Sequence, residues 1–231
     1  MRTARAQTRE RESQPAMAVA AVTSCSTCGR SDGSLVLPAT RHGRRLRQIC
    51  CHPQLVQPDS QAASAKSEAL LEQLEPLMEE GQKVLVFSQF VQMLDLLRPA
   101  LTERQWPIYY LAGQTENRGE LVQNFQTAEG PAIFLISLKA GGFGLNLTAA
   151  SYVVLFDPWW NPAVENQAID RTHRIGQSSK VIAYRLLIKN SIEEKIRELQ
   201  KKKKALMQDV LGEEKFAQGL TLEDMRFLFS D

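Results

Sequence analysis

The chain holds 231 residues, 43% of them hydrophobic and 23% charged, which is enough for one ordinary domain with a real core plus appendages. A formal net charge of +2 leaves no bulk electrostatic preference for nucleic acid, so any such contact must come from local patches. No run approaches the roughly 18 apolar residues of a membrane span, and the four cysteines form no even framework, which points to a reducing compartment and not to a secreted disulfide scaffold.

Residues 1–40 are rich in arginine, serine and alanine without sustained periodicity, and the whole stretch 1–45 reads as a disordered or poorly ordered arm. Ala16–Val22 followed by Thr23-Ser24-Cys25 has the outline of a lipoprotein signal. It is short, lacks leucine and follows a head of mixed charge, so the arm is the better reading. Cys25-x-x-Cys28 looks like one zinc knuckle, but a closed site needs four ligands. The only nearby candidates are His42, Cys50, Cys51 and His52, and free thiols with no metal site are the expectation.

From Ser67 the pattern becomes regular. Leu70, Leu71, Leu74, Leu77 and Met78 make one helical stripe, which Gly81 stops. Val84–Ser88 reads as a buried strand, Val91, Leu94, Leu97 and Leu101 as a helical face, and 107–111 as a second strand. Thr115 is placed to cap a helix carrying Leu121, Val122 and Phe125. Strands follow at 132–136 and 152–156, a helix at 162–173, and a fifth strand at 181–188. Pro76, Pro99 and Gly119 lie inside these stripes, and kinks or early helix ends are expected there. After Asn190, Ile192, Ile196, Leu199, Leu206 and Val210 recur at helical spacing, and Thr221 opens a last short helix with Leu222, Met225 and Phe229. Near-continuous apolar strands alternating with helices give an α/β fold of three layers around a mostly parallel sheet. Ligands of such sheets gather at the carboxyl ends of the strands.

Three constellations carry chemistry. On the helix opened by Asn161 and Pro162, Gln167, Asp170, Arg171 and Arg174 fall within an arc of about 100°. Two guanidiniums, which suit phosphate oxygens, thus share a face with an acid able to hold one of them. An ion-paired surface helix is the plainer alternative, and His173 reads as a structural hydrogen-bonding residue. Ser137-Leu-Lys139-Ala-Gly141-Gly142-Phe-Gly144-Leu-Asn146 follows a buried strand. Its glycines let backbone N–H groups approach an anion. Trp159 and Trp160 sit between two prolines at a strand end. One is expected to pack and the other to project toward nucleic acid, unless both are buried. Lys201–Lys204 are a solvated helix face or a phosphate-tracking patch. No Gly-x-x-x-x-Gly-Lys-Ser/Thr phosphate loop occurs anywhere in the sequence.

Taken together, Leu46-Arg-Gln-Ile-Cys-Cys-His-Pro53, Val84-Leu-Val-Phe-Ser-Gln-Phe90, Tyr110-Leu-Ala-Gly113 with Arg118, Leu135 through Ala150, Asp157-Pro-Trp-Trp-Asn-Pro162 and Gln167 through Gln177 closely resemble the second motor lobe of SWI/SNF-type ATP-dependent DNA translocases, in helicase superfamily two. The resemblance covers about 46–231. It implies a RecA-like lobe over 46–190 and a brace helix with a short terminal helix over 191–231. In such proteins Arg171 and Arg174 are arginine fingers reaching an ATP, with its magnesium, that a first lobe holds. Gly144 and Asn146 approach the nucleotide, with Gln167 and Asp170 on the same side. Ser88, Gln89, Ser137 and Lys139 touch the DNA backbone, and Trp160 approaches the groove.

Residues 1–45 do not match the family, and the first lobe is absent from the sequence. The expectation is therefore a fragment, a truncated product or one partner of a split motor, working with a first lobe in cis or in trans. Duplex DNA is the expected partner, in the nucleoid or the nucleus. A non-catalytic DNA- or protein-interaction module is the alternative. An RNA-helicase lobe is a third reading, disfavoured by Gln177 and the tandem tryptophans.

Overall fold

The computed structural model describes residues 36–138, 140, 145–160, 165–166, 168–169, 181–202 and 221–229. Five parallel strands form one sheet: β1 (Lys83–Ser88), β2 (Ile108–Leu111), β3 (Ala132–Ser137), β4 (Tyr152–Leu155) and β5 (Ile182–Arg185), in the order β2-β3-β1-β4-β5. The helices are α1 (Val36–Cys51), α2 (Ala65–Glu79), α3 (Val91–Glu103), α4 (Arg118–Thr127), α5 (Ile192–Lys202) and α6 (Leu222–Phe229), with a short 3-10 turn at Pro53–Leu55.

The strands are buried on both faces because their apolar residues do not alternate with polar ones. Val84 and Val86 of β1 face α2 and α3, together with Ile133, Leu135 and Val154. Leu85 and Phe87 point the other way, with Phe134, Ile136, Val153 and Leu155, toward Phe125 of α4 and Ala168. Period-two alternation of direction, with apolar side chains in both directions, requires helices on both sides. β1 lies at the centre and pairs with β3 and β4. The order reverses there, so the loops leaving β1, β3 and β4 emerge together at the carboxyl end.

Local signals account for most element ends. The Ser64 hydroxyl accepts from Ser67 N–H at 3.1 Å and caps α2. Gly81, at φ +73°, lets the chain leave α2, with its N–H and that of Gln82 returning to the carbonyls of Met78 and Leu77. Thr221 and Asp224 exchange N–H bonds at the start of α6.

Several expectations differ from the structure. α2 and α3 run on past Pro76 and Pro99 to Glu79 and Glu103. Pro76 lies three residues and Pro99 four residues before the helix end, and each helix tolerates the one i→i−4 hydrogen bond that its proline cannot donate. α4 starts at Arg118 after a left-handed Asn117, not at a Thr115 cap. The Thr115 hydroxyl instead accepts from Ala112 N–H at 2.9 Å, and Gly119 falls in the first turn. β5 is shorter than 181–188. The expected arm boundary at 45 falls within α1, which starts at Val36, because Leu46 and Cys50 pack into a hydrophobic cluster. Phe229, read as part of an apolar stripe, is 42% exposed.

Candidate functional site

The carboxyl ends of β1 and β3 place Ser88 and Ser137 side by side as register partners. Both are buried, and their hydroxyls are engaged locally. Ser137 accepts from Ala140 N–H at 3.3 Å. Ser88 donates to Oδ1 of Asp157 at 2.5 Å and accepts from Phe90 N–H at 3.1 Å. The Gln89 N–H points at both carboxylate oxygens of Asp157, each at 3.3 Å. Asp157, just beyond β4, thus holds the turn that follows β1. The Gln89 side chain is half-buried, and its Nε2 finds no acceptor among the described residues.

Asp157 is 1% exposed. Burial raises its carboxyl from 3.8 to about 6, against the lowering effects of the Ser88 hydrogen bond, Arg47 and Lys66, while Glu193 adds to the rise. Those three charged neighbours come from three different helices. Arg47 of α1 is fully buried and lies 5.1 Å from the Trp160 ring and 5.6 Å from that of Phe90, a desolvated cation–π arrangement worth about 2 kcal/mol. Lys66 of α2 pairs with Glu193 of α5 at 2.6 and 2.7 Å, with both side chains buried. Burial alone would pull the Lys66 ammonium down, but the Glu193 carboxylate overrides it and the net direction is up. Glu193 also accepts from Ile188 N–H at 3.1 Å. A third buried acid, Glu165, accepts from Trp159 N–H and from Arg185 Nε, both at 2.8 Å. It ties the loop after β4 to β5.

The two tryptophans diverge, as adjacent residues must, but neither projects. Trp159 lies at 6% exposure in the cluster on the α4 side of the sheet, and Trp160 at 9% in a separate cluster with Ile192, Ile196, Leu199 and Leu228. The expectation of an exposed tryptophan is corrected: α1, α5 and α6 supply the cover that a reading of the strand end alone does not foresee. Gln200 of α5 also donates to the Trp159 carbonyl.

Of the expected DNA-facing residues, the fold joins Ser88, Gln89 and Ser137 at one end of the sheet and seats Trp160 beneath α1 and α5. Asn146 is exposed, and its carbonyl accepts from Gln126 Nε2 of α4 at 2.8 Å. No contact among the described residues links it to the Ser88–Asp157 group. Lys139, Gly144, Gln167, Asp170, Arg171 and Arg174 lie outside the described residues, as do Cys25, Cys28 and Lys203 and Lys204 of the lysine run. The His52 ring caps the 3-10 turn by accepting from Gln54 N–H at 3.2 Å. Among the described residues no cluster of three His, Cys, Asp or Glu is placed to hold a metal, and no helix is long and apolar enough to cross a membrane.

Sequence reasoning gave no role to Arg47, Lys66, Asp157, Glu165 or Glu193. One signal was legible. Lys66 stands in the first turn of a helix, where the macrodipole disfavours a cation, which hints at a buried acidic partner.

The sheet order and the loops gathered at its carboxyl end define a RecA-like helicase C-terminal domain, and residues 65–176 match the family described as helicase conserved C-terminal domain. The chain is 30% identical to the Sulfolobus solfataricus SWI2/SNF2 ATPase C-terminal domain, covering 87% of this chain and 85% of that one with a TM-score of 0.69. It has the same identity to the Sulfolobus solfataricus SWI2/SNF2 ATPase core in complex with dsDNA, covering 87% of this chain and 43% of that one with a TM-score of 0.71. An uncharacterized ATP-dependent helicase of Mycoplasma pneumoniae is 40% identical over 191 residues, 80% of this chain and 18% of its own length. The chain belongs to the SWI2/SNF2 family of ATP-dependent helicases, as a C-terminal ATPase lobe. It spans 10% to 21% of the length of the curated relatives it matches.

Proposed function

We propose that this chain is the second lobe of a DNA-stimulated ATPase that translocates along duplex DNA. The observation that carries the reading is the convergence of the turns after β1, β3 and β4, bearing Ser88, Gln89, Ser137 and Asp157, at one end of a sheet similar to that of an ATPase core solved with dsDNA. Backbone N–H groups and hydroxyls at strand ends suit phosphate contacts that position without reading sequence.

ATP with magnesium is held mainly by a first lobe, in cis or in trans, and supplies the phosphoanhydride whose cleavage drives the cycle. Arg171 and Arg174 of this lobe bring positive charge to the transferring phosphate, with Gln167, Asp170, Gly144 and Asn146 on the nucleotide side. Closing and opening of the cleft moves the two lobes along a backbone, in the nucleoid of a bacterium or the nucleus of a eukaryote. At this end of the sheet the Ser88 and Ser137 hydroxyls are engaged within the lobe, and the half-buried Gln89 side chain, whose Nε2 finds no acceptor among the described residues, is a donor left for a phosphate.

The test pairs this chain with a first lobe. Arg174→Ala should lower DNA-stimulated hydrolysis about a thousandfold or more, roughly 4 kcal/mol, and leave duplex binding nearly intact. Equal loss of both would point to a folding defect instead, and undiminished hydrolysis removes the assignment. Turnover by the chain alone would contradict its reading as half a site. Salt-dependent duplex binding that ignores ATP and the first lobe would point instead to a non-catalytic interaction module.

A further inference from the structure

Four fully or almost fully buried charged side chains meet behind the proposed DNA-facing turn: Arg47 from α1, Lys66 from α2, Asp157 from the end of β4 and Glu193 from α5. Two are cations and two are anions, so the group is neutral as a set. Isolated buried charges are expensive, and such a set persists only where each member is compensated by the others and by hydrogen bonds. Lys66 and Glu193 compensate one another directly. Asp157 is compensated by the Ser88 hydroxyl, by the N–H of Gln89 and by the fields of Arg47 and Lys66.

We propose that Asp157 is the positioning residue of the DNA-contacting turn Ser88–Phe90, and that α1, α2 and α5 set its orientation through Arg47, Lys66 and Glu193. This inference rests on the proposed DNA-facing role of Ser88 and Gln89. It assigns to Asp157 no contact with DNA. Its carboxylate faces inward and fixes the Ser88 hydroxyl and the Gln89 backbone, which leaves the other side of the turn to meet a phosphate. α5 enters the same arrangement twice, since Glu193 holds Lys66 while Gln200 holds the carbonyl of Trp159. A shift of α5 would therefore reach the turn after β1 through a chain of contacts that is entirely internal.

The experiment uses the full 231-residue chain, as wild type, Asp157→Asn and Ser88→Ala. The Gln89 amide is followed by NMR across the acid-to-neutral range, and duplex binding by fluorescence anisotropy at low salt. The groups facing Asp157 are Arg47 and Cys51 of α1, Lys66 of α2, Ser88 and Gln89 after β1, and Glu193 of α5. Burial pushes the Asp157 carboxyl up to about 6. The wild-type Gln89 amide should titrate with that midpoint and stay fixed in Asp157→Asn.

Either variant should weaken duplex binding by about tenfold, the scale of one lost hydrogen bond to a charged group, and the double variant should be little worse than either single one. A Gln89 amide insensitive to pH in the wild type overturns the tether and needs no variant to fold. Variants that melt earlier yet bind duplex as the wild type does reduce Asp157 to a purely structural role and overturn the positioning claim. A wild type with no salt-dependent duplex binding defeats the DNA-facing reading itself, a result separable from the other two.

Discussion

Two buried regions of this lobe are built on different principles. The sheet interior is almost wholly apolar: Phe87, Phe134, Val86 and Leu135 touch carbon on every side, and their neighbours come from successive elements of one α/β alternation. The layer over the carboxyl ends of the strands is as deeply buried yet holds Arg47, Lys66, Asp157, Glu165 and Glu193 among Trp160, Ile196 and Leu228. Apolar packing is forgiving about what occupies a position as long as volume is kept. A buried charge is not, because removing its partner leaves it without solvent or compensation. The sheet supplies stability with tolerance, and the layer above it fixes the relative placement of α1, α2, α5 and the turns after β1 and β4.

The largest effect should come from breaking the Lys66–Glu193 pair. Lys66→Ala leaves Glu193 buried and uncompensated, at an expected cost of about 3–5 kcal/mol in urea unfolding. The double variant Lys66→Met with Glu193→Leu should cost less than that single change, because no charge is left stranded. If the single change is mild, the layer is no more demanding than the sheet and the contrast collapses.

Next comes the pH dependence of Asp157. Its folded value of about 6 lies above the ordinary 3.8 because burial disfavours the charged form, so the folded state holds the proton more tightly than the unfolded chain does. Wild-type stability from this group is therefore greatest at acid pH and falls as pH rises from about 4 to 6. Asp157→Asn lacks that fall. The stability of Asp157→Asn relative to wild type should improve by up to about 3 kcal/mol over that window and then level off. A constant difference between the two unfolding curves would show that hydrogen bonding and the nearby cations fully offset burial at this carboxyl, and a difference of the opposite sign that they outweigh it.

The smallest effect sharpens the picture of α1. A Cβ on Gly43 would sit 3.5 Å from a ring carbon of Trp160, an ordinary contact. Gly43→Ala should raise stability by about 0.5–1 kcal/mol through helix propensity. A loss in thermal melting would mean that α1 is seated on the tryptophan too closely for even a methyl group.

The strands were legible because burial on both faces leaves an unbroken apolar run, and Gly81 marked the end of the helix that precedes β1, whereas the Ser64 cap at the start of that helix was not read. The turn bearing Ser88 and Gln89 was legible only through family motifs, since a serine at a strand end has no periodicity to announce it. The burial of Trp160 stood only as the alternative reading. Its cover comes from Gly43, Ile192, Ile196 and Leu228, on helices remote in sequence from the strand end that carries it.

By itself the sequence determined an alternation of strands and helices and the identity of the family, because these depend on local periodicity and contiguous motifs. Tertiary structure alone decided which charges are sealed together. Lys66 and Glu193 lie 127 residues apart, and nothing in either stretch names the other as its partner. Only folding brings them within hydrogen-bond distance, and only removal from water makes that distance matter.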